Sequence, residues 1–194
     1  MLKENLDMVE EKIQAACNRA SRRREDVTLI AVSKTKPVSM IREIMDLGIT
    51  HFGENKVQEL VGKTEEIKEP LHWHLIGHLQ RNKVKYIIDR ACLIHSVDSL
   101  RLGIAINEEA VKKNVIMPVL IEVNVANEDT KYGVRAEELY DLVKELSRLS
   151  NVRIEGLMTI APFVENPEDN RVHFRKLRQL SVDIGSKNID NVHM

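Results

Sequence analysis

Apolar positions along this chain recur with two periods that alternate from one end to the other. Leu6, Val9, Ile13, Ala16 and Cys17 share one helical face, which predicts an amphipathic helix over residues 4–22. The next segment, 27–33, is almost continuously aliphatic and β-branched. It predicts a strand buried on both faces, as in parallel sheets. Pro37 disfavours helix at Lys36 and turns the chain. Residues 38–47 return to the helical period and stop at Gly48, a C′ glycine. A short strand over 49–52 follows, and Gly53, Glu54 and Asn55 open a helix running to about 67. The same alternation predicts strands over 71–76, 92–95, 119–125 and 152–158. Between them lie a loop over 77–83 leading into a helix to 88, a helix over 99–113 capped by Asp98 or Ser99, a loop over 127–133 and a helix over 136–149. A helix over 169–184 follows the sixth strand, and residues 189–194 begin a seventh.

Six repeats of strand then helix, after an opening helix, specify a parallel α/β fold. A doubly wound open sheet and a TIM-type (β/α)8 barrel both satisfy that pattern. Seven strands within 194 residues, with a helix after each of the first six, favour the barrel. Seven strands without an eighth leave such a barrel with an unpaired edge. The expectation is one barrel domain over 1–194, C-terminally incomplete and lacking its last strand and helix. No low-complexity tract or Pro/Gly-rich linker divides the chain.

The first predicted strand ends in two lysines, Lys34 and Lys36. Lys34 falls at the carboxyl end of a core strand, where α/β folds collect their chemistry. Burial there, together with the charge of Lys36, would favour the neutral amine, the form that condenses with aldehydes. A surface lysine that extends out of the strand end is the alternative.

Composition narrows the function classes. Charged residues make up 30% of the chain, yet the formal net charge is −1. That balance lacks the basic footprint of a nucleic-acid or membrane-surface binder, and aromatic residues at 4% are too few for a base-stacking surface. Cys17 and Cys92 are isolated thiols without metal or redox spacing, as expected of reduced cysteines in a cytoplasmic protein. The acidic, amphipathic N-terminus does not read as a signal peptide, and no apolar run reaches the ~20 residues that span a bilayer.

The predicted strand ends carry Ser33 and Lys34; Glu54 and Asn55; Gly77 and His78; His95 and Ser96; Asn124; and Met158 and Thr159. In a barrel these converge on one mouth. His72 and His74, two apart on a strand, share a face and form half of a possible metal site. The third ligand would have to come from His78 or His95, and Glu54 is the one carboxylate at a neighbouring strand end. Gly62-Lys63-Thr64 imitates the end of a phosphate-binding loop, but Val57 stands where the earlier glycine is required and the segment lies inside a helical pattern.

Several segments together resemble the pyridoxal phosphate homeostasis protein family, relatives of the N-terminal barrel of alanine racemase. They are Ala31-Val-Ser-Lys-Thr-Lys-Pro37, Phe52-Gly-Glu-Asn55 with Gln58-Glu59, Trp73-His-Leu-Ile-Gly77, Leu79-Gln-Arg-Asn-Lys83, Lys131-Tyr-Gly133 and Gly156-Leu-Met158. The resemblance implies a single-domain barrel of PLP fold-type III that holds pyridoxal 5′-phosphate (PLP) as a Schiff base on Lys34, with Asn55 and Met158 near the cofactor ring. It assigns no role to His78. It places the phosphate-holding segments of the family, a Ser-Met-Gly-Met-Ser loop and an Arg-x-Gly strand end, past the position of Met194. The implied role is non-catalytic: a cytoplasmic protein, monomeric, that buffers PLP and passes it to apo PLP enzymes, with no nucleic-acid or membrane partner. The alternative is an amino-acid racemase using Lys34 as its base. That chemistry needs a second base on the other face of the cofactor, which alanine racemases take from an added β-domain.

Overall fold

A computed structural model describes residues 1–128 and 131–194. Asp129 and Thr130, within the loop expected over 127–133, lie outside the described residues. The opening helix α1 spans Leu2–Arg19 and buries Cys17. It ends three residues earlier than its hydrophobic period suggests, and Ser21 turns the chain with φ 50°.

Among the described residues six strands form one parallel sheet in the order β1-β2-β3-β4-β5-β6. They are β1 (Ala31–Val32), β2 (His51–Glu54), β3 (His72–Leu75), β4 (Leu93–Val97), β5 (Met117–Glu122) and β6 (Val152–Met158). Each strand pairs with the one next to it in sequence, the winding of a (β/α) barrel. A doubly wound sheet would reverse direction at a switch point and break that order. The fold is therefore barrel-like and, among the described residues, not closed. Past β6, Val192 forms one parallel bridge to Ile154, and His193 donates its N–H to the Ile154 carbonyl at 2.8 Å. The seventh strand expected over 189–194 is present as that single bridge.

The crossovers are α2 (Val38–Met45), α3 (Val57–Glu66), a 3-10 segment over Arg81–Tyr86, α4 (Leu100–Lys113) and α5 (Leu139–Leu146). The final helix, α6, spans Arg171–Gly185. Alternate residues on each strand face opposite sides. Phe52, Trp73, Leu75, Ile94, Val119 and Ile121 join the helices in one apolar core. Phe52 and Trp73 approach to 5.6 Å between ring centroids. His51, His74 and His95 come from the other face and meet one another in the barrel interior.

The first strand corrects the sequence expectation. Only Ala31 and Val32 pair, instead of the whole of 27–33, and Val32 is 50% exposed. Strand β1 is an edge with a hydrogen-bonded partner on one side only, and Val32 faces open space where a strand covered on both faces would be packed. Lys34 is accordingly exposed and not buried.

Candidate functional site

The carboxyl ends of the strands open onto a cavity of about 520 Å³. Its lining includes Lys34 after β1, Asn55 after β2, His78 after β3, His95 on β4, Glu122 at the end of β5 and Met158 at the end of β6. Lys34, Asn55 and Met158 are far apart in sequence, and the sheet brings all three to this one space. Val32, Ile76 and Ile160 give it apolar walls, and Lys34 is its one lysine or arginine among the described residues. The volume lies within the roughly 300–1,000 Å³ typical of small-molecule sites. A neighbouring cavity of about 570 Å³ carries Arg81 and Arg101 but no lysine.

Lys34 stands in a tight turn. The Lys36 N–H donates to the Ser33 carbonyl at 3.0 Å, closing a four-residue turn with Lys34 and Thr35 at its centre. Thr35 has φ 62°, a left-handed conformation that is costly for a β-branched residue. Three side chains grip this turn from below. Lys63 Nζ donates to the Ser33 carbonyl at 2.7 Å and to Glu54 Oε1 at 2.6 Å. Ser33 Oγ donates to the same Glu54 oxygen at 2.6 Å. Glu59 Oε2 accepts from the Thr35 N–H at 2.7 Å and lies 3.5 Å from Lys63 Nζ. The Thr35 N–H, with Lys63 adding to it, holds the Glu59 carboxyl below the usual carboxylate range. Glu54 is fully buried and the Lys63 side chain is 10% exposed.

None of this clamp is apparent from the sequence. Glu59 and Lys63 are four apart on α3, which reads as an ordinary surface pair. Only the packing of α3 against β2 turns Lys63 inward. The Gly62-Lys63-Thr64 resemblance to a phosphate loop is indeed false, yet Lys63 has a structural task at the candidate site.

The other strand-end residues divide by role. Ser96 Oγ donates to the Gly77 carbonyl at 2.7 Å. Asn124 caps its own loop, donating from Nδ2 to the Glu128 carbonyl at 2.8 Å. Thr159 Oγ1 donates to the Val123 carbonyl, tying β6 to the end of β5. Asn124 and Thr159 do not line the cavity. His78 does, and its ring stacks on Tyr132 at 4.1 Å between centroids. Gly77 is required by a close approach. A Cβ there would stand 2.4 Å from the Asn55 carbonyl oxygen and 2.8 Å from its Cα, both rigid backbone atoms. Gly77→Ala should therefore displace Asn55 and cost about 1–3 kcal/mol of stability, as overpacking does. A urea unfolding midpoint within error of the unaltered chain would contradict this.

Glu122 is a cavity residue that the sequence reading missed. A strand read as 119–125 puts Glu122 in its middle, whereas β5 ends at Glu122 and aims it at the cavity. A single acid inside the aliphatic run Val119 to Val125 was the available signal. Burial first, and the Asp98 carboxylate second, push its carboxyl up to about 7.

The four strand histidines do not form a metal site. His51 Nδ1 and His74 Nε2 are 2.9 Å apart, as are His74 Nδ1 and His95 Nε2. The rings use these nitrogens on one another. Among the described residues no group of three or more His, Cys, Asp or Glu is arranged to hold a metal. His72 is exposed and stacks on His51 at 4.3 Å. No helix among the described residues is long and apolar enough to cross a membrane.

Comparison with known proteins agrees with this geometry. The family model for the alanine racemase N-terminal domain matches residues 5–194. A pyridoxal phosphate homeostasis protein of Aquifex aeolicus is 49% identical over 178 residues, 91% of this chain and 78% of the relative. The structure of PipY of Synechococcus elongatus PCC7942 with PLP bound matches with a TM-score of 0.79 at 30% identity, covering 93% of this chain and 85% of PipY. An alanine racemase of Clostridium difficile 630 is 16% identical with a TM-score of 0.77, over 98% of this chain and 49% of the racemase, and supports the fold alone. With a sequentially wound parallel sheet and relatives of this identity over nine-tenths of its length, the chain belongs to the pyridoxal phosphate homeostasis protein family.

Proposed function

We propose that this chain binds PLP in the strand-end cavity and serves as a PLP carrier and buffer. The observation that supports it most is the convergence of Lys34, Asn55 and Met158 on one cavity of about 520 Å³. The residues present fit the aldehyde and the ring of the group. An exposed lysine amine offers a nucleophile for an aldehyde, Asn55 offers a hydrogen-bonding amide, and Met158, Ile76 and Val32 offer apolar surface for an aromatic ring. Bound PLP supplies a reactive aldehyde and an electron-withdrawing ring. Lys34 would hold the cofactor through its aldehyde carbon, its amine nitrogen taking the place of the carbonyl oxygen, which would leave as water. The turn clamped by Glu54, Glu59 and Lys63 keeps that amine aimed at the cavity.

In this reading the chain acts as a cytoplasmic monomer, hands PLP to apo PLP enzymes and has no robust turnover of its own. The Aquifex relative is named for homeostasis and not for a reaction, which favours the carrier. A racemase reading with Lys34 as base would take its second acid–base group from Tyr132 or His78, which line the same cavity. Two measurements on one sample separate these outcomes. Borohydride reduction of the PLP-loaded chain, followed by peptide mass mapping, should place a single adduct on Lys34. L-Alanine incubated with the loaded chain should keep its configuration. An adduct elsewhere overturns the site, and inversion at a rate above the protein-free control overturns the carrier.

A further inference from the structure

We propose that His95, His74 and His51 form a proton path through the barrel interior, joining the strand-end cavity to solvent at the amino ends of β2 and β3. The path is set by register. His51 opens β2 and pairs with His72, the first residue of β3. His74 lies two residues further along β3, and His95 lies on β4 beyond the Leu75–Ile94 pairing. Each histidine is therefore a step further toward the carboxyl ends of the strands. His95 reaches the cavity. His51 is half-buried and stacks on exposed His72 at the opposite end.

Both internal contacts are 2.9 Å between ring nitrogens, the length of a full hydrogen bond. A neutral imidazole has one N–H and one acceptor, so the whole chain has two consistent arrangements. In one, all three rings carry the proton on Nε2: His95 donates to His74, and His74 donates to His51. In the other, all three carry it on Nδ1 and both donations run the opposite way. A proton taken up at His95 Nδ1 moves the His95 Nε2 proton to His74 Nδ1. The His74 Nε2 proton passes to His51 Nδ1, and the His51 Nε2 proton leaves to solvent. One proton enters, one leaves, and the three rings change tautomer together.

The surroundings suit this role. Burial, with the charges of neighbouring histidines, holds His74 at about 3, and burial holds His95 at about 4. His51 is lowered by burial and by His72. Near neutral pH His74 and His95 therefore have one donor and one acceptor each. Cys92 Sγ is 3.6 Å from His74 Nε2, and burial pushes its thiol up to about 11, so it does not trap the proton. At the cavity end Glu122 lines the same space as His95, its carboxyl pushed up to about 7 by burial first and the Asp98 carboxylate second. Histidines with a purely structural role would each hold one fixed tautomer.

Nitrogen NMR of the 15N-histidine-labelled chain, without added ligand, separates these cases and does not depend on whether the cavity binds PLP. Shifts of Nδ1 and Nε2 should give one shared tautomer ratio and one exchange rate for His51, His74 and His95. His74→Phe should abolish that agreement and leave His51 and His95 with unrelated ratios. Three rings each locked in a single tautomer, or unrelated ratios in the unaltered chain, overturn the proposal. The unaltered chain alone suffices if His74→Phe fails to fold.

Discussion

Lys34→Ala should abolish the Schiff-base absorbance band that PLP produces with the unaltered chain, with no residual band at saturating cofactor. The expectation is a complete loss because nothing nearby can replace the amine. Lys34 is the one lysine lining the cavity among the described residues. Lys36 is close in sequence but lines a different hollow, formed with Leu2, Met40 and Ile44 beneath α1 and α2. It is not among the residues that line the cavity with Asn55 and Met158. Lys34→Arg is the informative companion. It keeps the positive charge but has a guanidinium, which stays protonated and does not condense with aldehydes under these conditions. The band should be absent from that variant too. If Lys34 served only as a charge, the arginine variant would keep its PLP and the alanine variant would not. A band that survives Lys34→Ala and vanishes in Lys36→Ala would transfer the site to the neighbouring lysine.

How much of this was legible in the sequence follows from which forces act locally. The alternation of aliphatic runs with helical periods fixes the parallel α/β class, because hydrophobic periodicity reports directly on burial. Strand ends are legible for the same reason, and the sequence alone sets Lys34, Asn55 and Met158 at the ends of separate strands. Length is less legible. The 27–33 run looks like a strand covered on both faces, but Val32 opens onto the strand-end cavity and is half exposed, and that cavity is built from segments far away in sequence. Residues 81–86 form a 3-10 segment packed against α4, where the sequence predicts a loop to 83 and then a helix to 88. Side-chain networks are the least legible. His72 and His74 show their shared face at spacing two, while the contacts of His74 with His51 and His95 depend on the registers of β2 and β4. Lys63 shows the same limit, since helix spacing predicts Glu59 as its neighbour but not Ser33 or Glu54.

Lys63→Met should destabilise the chain by about 3–5 kcal/mol, the range seen when one partner of a buried ion pair is removed. Glu54 is fully buried, and its Oε2 already has no hydrogen-bond partner among the described residues. Removing Lys63 leaves the carboxylate with the Ser33 hydroxyl alone. Since domains are stable by only about 5–15 kcal/mol, a loss of this size should lower the urea midpoint steeply. Compensation distinguishes desolvation from simple loss of packing. In Lys63→Met combined with Glu54→Leu, no charge is left buried and unpaired, so most of the lost stability should return. Recovery of stability should not restore the site. The left-handed Thr35 conformation costs on the order of 1–3 kcal/mol and persists because its surroundings hold it. With the Lys63 donation to the Ser33 carbonyl gone, the turn can relax, and Lys34 loses its fixed aim. The double variant should therefore fold well and yet hold PLP at least tenfold more weakly than the unaltered chain, read by titrating the Schiff-base band. A double variant with unaltered PLP affinity would mean that the Lys34 turn keeps its shape without the clamp.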